Sequence, residues 1–125
     1  MIDYWVETAN KDYQTMFNLF NSKDFHWSLF MGHLVVEKLL KAIYVKNVNS
    51  NPPRIHDLLR LSEEAQVYTT EVQKDDLDLI TTFNISARYP HFKHSFYKKC
   101  DYEFTKVNIK KIEELRAWLL LTLEK

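Results

Sequence analysis

The stretch from Asp24 to Lys46, DFHWSLFMGHLVVEKLLKAIYVK, decides the fold. A helix turns about 100° per residue, so Leu29, His33, Val36, Leu40 and Ile43 fall on one line, with Phe30, Leu34, Glu37, Lys41 and Tyr44 close beside it. The segment is thus apolar over much of its circumference, and such a helix needs cover from several neighbours. It is expected at the centre of a bundle, with any face the neighbours miss covered by a second copy of the chain.

The flanking segments supply those neighbours. On the N-terminal side Ile2, Trp5, Val6, Ala9, Tyr13, Met16, Phe17 and Phe20 form one stripe of a first helix, with Asp3 and Glu7 where the helix dipole favours negative charge. On the C-terminal side Asn47–Pro53 holds three Asn, a Ser and two consecutive Pro, which end the central helix and run the chain extended to Arg54. A short third helix begins near Ile55 or His56, places Leu58, Leu59 and Leu61 inward and fades by Gln66. Val67–Thr70 is β-branched enough for a strand but has no partner run, whereas Thr70 with Gln73 makes a capping box for a fourth helix carrying Val72, Leu79, Ile80 and Phe83. Pro90 ends that helix by about Tyr89 and leaves Arg88 at its terminus. Residues Pro90 to Glu103 alternate aromatic and cationic side chains without either periodicity, so a long loop with one helical turn at most is expected there. A last helix from about Thr105 to Leu123 aligns Ile112, Leu115, Leu119 and Leu123. The expected architecture is all-α, an antiparallel up-and-down bundle of four to five helices forming one domain over residues 1–125. Its expected core contains Trp5, Phe17, Phe30, Leu40, Leu59, Ile80, Phe83, Ile112 and Leu119.

Composition agrees. Gly and Pro together number 4 of 125 residues, far below the average of about 12%, so the turns that sandwiches and barrels require are missing. The longest apolar run, Ala117–Leu121, is five residues, where a membrane span takes about 20. The single Cys100 allows no intramolecular disulfide and no all-Cys zinc site, and with no signal-like N-terminus it predicts a cytoplasmic protein.

The formal charge is zero, yet the charges are segregated. Asp57–Asp78 carries seven acidic against two basic residues, and Arg88–Lys111 carries seven basic against two acidic. Two solvated faces that partly neutralise each other would explain this, and so would a surface that faces phosphate.

Motifs with metal or phosphate chemistry are few. The only glycine, Gly32, lies in mid-helix, so there is no glycine-rich phosphate loop. Cys100 stands beside Lys98 and Lys99, which would lower its pKa, but no base is spaced to orient it. His26, His33 and Glu37 share a helical face and could offer two imidazoles and a carboxylate to a metal, or be semi-buried groups satisfied by a neighbour. His56 and Asp57 read most simply as a helix cap. Arg88 and His94 are the sharper pair, because Arg is a permanent bidentate phosphate ligand and His transfers protons near neutral pH. Lys93 and Lys98 add charge around them, and Tyr89, Phe92, Phe96, Tyr97 and Tyr102 could stack on bases or pack the segment onto the core.

Three segments in order carry a family resemblance: FMGHLVVEKLLKAIYV at Phe30–Val45, PPRIHDLLRL at Pro52–Leu61 and NISARYP at Asn84–Pro90. With them the chain resembles prokaryotic HEPN-domain proteins over nearly its whole length. The resemblance implies a helical bundle, usually dimeric, often acting as a toxin beside a minimal nucleotidyltransferase. Active members are ribonucleases that need no metal or other cofactor and use an Arg, four to six intervening residues and a His. That spacing falls on Arg88 and His94. Around them Lys93, Lys98, Tyr89 and Tyr97 are the candidate RNA- or nucleotide-binding residues, and His33, Glu37 and Lys41 are candidate supporting polar groups on the central helix. Here Tyr89 and Pro90 follow the Arg, where active members typically have Asn, Asp or His. Phe96 stands where some members carry a Tyr that receives an adenylyl group, with Tyr97 one residue later. The implied function is RNA cleavage, the alternative a non-catalytic nucleotide-binding or protein-interaction module of the same fold.

Overall fold

A computed structural model of Met1–Lys125 contains six helices and no strand: α1 (Ile2–Asn21), α2 (Phe25–Asn47), α3 (Leu58–Glu64), α4 (Glu71–Arg88), α5 (Pro90–Lys99) and α6 (Tyr102–Glu124). Helix α2 touches all five others. It buries Leu29, Val35, Val36, Leu39, Leu40, Ala42 and Ile43 almost completely, and each large apolar side chain removed from water this way stabilises the fold by about 1.5–3 kcal/mol. Helix α1 returns against α2 through a three-residue turn in which Lys23 takes a left-handed conformation (φ 67°). The antiparallel register is visible in Lys38 pairing with Asp12 at 2.6 Å and in Ser28 Oγ donating to the Met16 carbonyl at 2.8 Å. Gly32 lets α2 and α6 approach, since a β-carbon there would overlap Ile112 Cδ1 and press on Met16 Sδ at 3.2 Å.

The caps expected of the sequence are present. Thr70 Oγ1 accepts from the Gln73 backbone N–H and Gln73 Oε1 accepts from the Thr70 N–H, a complete capping box. Asp57 caps α3 by accepting from the Arg60 N–H, and Asp101 caps α6 by accepting from the Phe104 N–H at 2.8 Å.

Two expectations need correction. Residues 90–99 form helix α5 instead of a loop, which brings the count to six, one above the upper expectation. Pro90 occupies the first turn of α5, where a missing N–H costs nothing and φ is already helical, so the residue that stops α4 also starts α5. The periodicity of this segment is faint because α5 buries a single side chain, Phe96, stacked on Phe83 at 5.6 Å.

Leu40, Ile80, Phe83, Ile112 and Leu119 are buried as expected, but Trp5, Phe17, Phe30 and Leu59 are only partly buried. Trp5 and Phe17 sit on α1, which packs chiefly on α2, and Phe17 borders an open groove between α1 and α6. Phe30 lies on a stripe of α2 with Trp27, Met31 and Leu34 that the other helices leave partly uncovered. No helix is long and apolar enough to cross a membrane.

Candidate functional site

The junction of α4 and α5 makes the site. Arg88 is the last residue of α4, Tyr89 is extended (ψ 130°), and Pro90 opens α5 at once. Lys93, His94 and Tyr97 then fall on neighbouring positions of one helical face, since residues three and four apart are adjacent on a helix. The Arg88–His94 motif therefore spans the C-terminus of one helix and the first turns of the next. The expectation that His94 lies in a loop is overturned.

These side chains line an open groove of about 610 Å³ together with Pro90 and with His26 from the first turn of α2. Two cations, two imidazoles and a phenol face it, and no carboxylate does. The chain's Lys–carboxylate pairs lie elsewhere, at Asp12–Lys38, Glu37–Lys41, Glu71–Lys74 and Asp76–Lys111. Asp76–Lys111, at 3.4 Å, joins the acidic segment to the basic one. Arg88, Lys93 and Lys98 have no acidic partner, so partial neutralisation within the fold does not extend to the groove. Around them, Lys93 Nζ stands 5.1 Å from the Trp27 ring and the Arg88 guanidinium 5.8 Å from the Tyr89 ring. Such cation–π contacts orient the cations without cancelling their charge.

His26 is the residue that sequence reasoning did not place here. Its ring lies edge-on to Tyr97 at 5.3 Å and beside Trp27 at 5.0 Å, and only 8% of the residue is exposed. Burial first, and then the neighbouring Lys93 charge, push its pKa below the ordinary histidine value, against an opposing pull from Asp24. It is therefore neutral at physiological pH. The contact with Tyr97 joins residues far apart in sequence, so no local pattern announces it.

The other proposed positions divide. Lys98 lines an adjoining concavity of about 310 Å³ with His26, Tyr97 and Cys100, and Tyr89 borders the groove through Arg88 without lining it. Cys100 is buried, and burial pushes its thiol up to about 12, outweighing the lowering by Lys99. The lysines beside it in sequence therefore do not activate it. Phe96 is buried, whereas Tyr97 is exposed.

His33, Glu37 and Lys41 belong to a separate network. His33 Nε2–H donates to the His56 carbonyl at 2.9 Å, which leaves Nδ1 as acceptor for the Asn84 amide at 3.4 Å. Glu37 Oε1 accepts from His56 Nδ1 at 2.8 Å, and Oε2 accepts from Lys41 Nζ at 3.3 Å. Burial, outweighing the His56 carbonyl and Glu37, holds His33 below the ordinary histidine pKa. These bonds pin the extended Pro52–Asp57 segment across α2. They also tie α2 to α4 at Asn84, one turn before Arg88. His26 and His33 are seven residues apart, about 10 Å along a helix axis, and the structure turns them to different partners. The three residues do not converge as metal ligands, and no group of three or more His, Cys, Asp or Glu does so elsewhere.

No curated protein and no solved structure matches the sequence. A family model described as the HEPN domain matches residues 2–123. That match spans nearly the whole chain, including every helix core and both halves of the Arg88–His94 motif, and the chain belongs to the HEPN domain family.

Proposed function

We propose that this chain is a toxin-like, metal-independent endoribonuclease that works as a cytoplasmic homodimer beside a minimal nucleotidyltransferase. The observation that carries the reading is the groove at the α4–α5 junction, where Arg88, Lys93 and His94 converge with no carboxylate among them. An unpaired guanidinium and ammonium attract a phosphodiester and can hold it as negative charge develops. An imidazole beside them can move a proton. Exposed Tyr97 and Tyr89 offer rings on which unstacked bases can lie.

The dimer is supported by apolar residues left uncovered on α2, α4 and α5. Trp27, Phe30 and Met31 on α2 are partly exposed, and Ile85 on α4, Tyr89 at the α4–α5 junction and Phe92 on α5 are about half exposed. Exposed apolar surface of this kind marks association. A two-fold partner seated there would bring a second Arg88 and His94 close to the first pair. Light scattering at micromolar protein should give about twice 15.1 kDa.

The test of function is a labelled single-stranded RNA incubated with the purified protein in the presence of a chelator. Cleavage leaving a 2′,3′-cyclic phosphate, and its loss in His94→Ala, are the expected results. Salt-dependent binding without cleavage would favour the second reading, a nucleotide- or protein-binding module. The Arg88–Tyr89 contact suits that module, because it turns part of the guanidinium toward a ring. Co-expression with the neighbouring reading frame tests the partner: a nucleotidyltransferase that co-purifies supports it.

A further inference from the structure

Cleaving RNA through its own 2′-hydroxyl takes two proton transfers. A base must accept the 2′-hydroxyl proton and an acid must protonate the leaving 5′-oxygen. The Arg88–His94 motif supplies one imidazole per chain, yet the groove contains two, because His26 reaches it from α2. The two differ in setting: His94 is exposed on α5, while His26 is wedged between Trp27 and Tyr97. The chain's internal histidine hydrogen bonds belong to His33 and His56, so the nitrogens of His26 are free for a ligand. Nor is His26 sealed in, since it lines both the main groove and the adjoining concavity beside Lys98.

Given the ribonuclease reading above, we propose that His26 is a second catalytic residue of this groove, the base for the 2′-hydroxyl, with His94 of the same groove as the acid. Neutral His26 takes the 2′-hydroxyl proton as the O2′–P bond forms. The P–O5′ bond breaks, and the His94 imidazolium gives its proton to O5′, releasing a 2′,3′-cyclic phosphate and a 5′-hydroxyl. Arg88 and Lys93 hold the phosphate through both transfers. Exchange with water returns each imidazole to its starting state, so no co-reactant is consumed.

His26 stands at the second residue of α2, where the positive end of the helix dipole also disfavours an imidazolium. The ring is flanked by Trp27 and Tyr97, on a helix that packs against every other helix of the bundle. A base is best held on such an element. His94, one helical turn into α5, is free to meet the leaving group from solvent. Each chain then carries a complete base–acid pair, and the dimer is needed to shape the cleft instead of to supply the second imidazole.

The test compares an ordinary single-stranded oligoribonucleotide with one carrying a single 5′-thio linkage, using full-length wild type, His26→Asn, His26→Ala and His94→Ala. A thiol leaves with a pKa near 8.5 and needs no acid, so His94→Ala should regain cleavage at the 5′-thio linkage. The His26 variants should lose about 10²-fold or more at both linkages, while His26→Asn still unfolds cooperatively and still binds a 2′-deoxy oligonucleotide. His26→Asn keeps a planar polar group between Trp27 and Tyr97, which guards against a packing defect in the alanine variant. If His26→Asn, folded and binding, cleaves at the wild-type rate, His26 is not the base. If in addition His94→Ala is not restored by the 5′-thio linkage, His94 serves in both roles across the dimer. If wild type cleaves neither substrate, the ribonuclease reading itself falls.

Discussion

His33 and His56 on one hand, and His26 and His94 on the other, are the same side chain in opposite situations. In the first pair both His33 nitrogens and one of His56 are engaged by the chain, through the His56 carbonyl, Asn84 and Glu37. In the second pair the chain engages none, and two unpaired cations stand beside them. A satisfied polar network in a low-dielectric interior holds the fold in one arrangement. Unsatisfied polar groups around a groove gain their partners only from a ligand. The comparison separates residues of similar sequence character, since His26, His33 and Glu37 occupy one face of one helix.

The largest effect should fall on the unsatisfied cluster. Arg88→Ala should lower RNA cleavage by about 10²–10³, the usual cost of removing one preorganised charge-stabilising donor, while thermal unfolding stays within about a degree of wild type. Arg88 is exposed and makes no ion pair in the fold, so stability has little to lose. A large drop in melting temperature would show instead that Arg88 belongs with the structural network.

The next effect should fall on the satisfied cluster, with the readouts reversed. Glu37→Ala strands the largely buried Lys41 ammonium, whereas half-exposed His56 can turn to water, so the loss should be about 1–3 kcal/mol. Urea unfolding should show that loss, with RNA binding per folded molecule unchanged. Two buried histidines, one from each cluster, add a pH dependence. Burial lowers the folded-state pKa of His33 and of His26, so the unfolded chain takes up these protons first as pH falls. Their contribution is therefore present above the unfolded histidine value of about 6.5 and is lost as pH drops through it, by up to about 1.4 kcal/mol per pH unit for each. Urea midpoints should be lower at pH 5.5 than at pH 7.5, and His33→Gln should flatten the difference. A midpoint that rises on acidification would contradict both shifts.

A smaller effect belongs to the lysines. Lys93→Ala and Lys98→Ala should each weaken single-stranded RNA binding a few-fold and reduce the salt slope by about 0.7, one phosphate contact each. Lys93 lines the main groove and Lys98 the concavity next to it. A slope that changes for Lys93 alone would confine the RNA to the main groove.

These contrasts also mark what the sequence makes legible. The central helix could be read because apolar residues cover most of its circumference, and the α4 cap because Thr70 and Gln73 act within one turn. Arg88 and His94 could be paired because a spacing is a local property. Helix α5 was hidden, since a ten-residue helix that buries only Phe96 leaves no apolar period, and its one local mark, Pro90 in the first turn, reads equally as a stop for α4. The place of His26 is hidden for another reason. Its partner in space, Tyr97, is set by how α5 folds back on α2, and the helical face it shares with His33 points to a common site that the tertiary structure divides.

The smallest effect should come from Cys100→Ala, which tests how close to the groove chemistry can lie without taking part. Cys100 shares the concavity beside the groove with His26, Tyr97 and Lys98, and Lys99 precedes it. Proximity to cations would make it a reactive thiolate. Burial overrides them and pushes the thiol up to about 12, so in the folded chain it should react with iodoacetamide on the order of 10³ slower than the unfolded chain at pH 8. Cleavage by Cys100→Ala should match wild type, because a protonated, buried thiol neither attacks phosphorus nor accepts a proton. Rapid alkylation of the native protein, or loss of cleavage on alkylation, would place Cys100 among the unsatisfied groups of the groove and redraw the boundary between the two clusters.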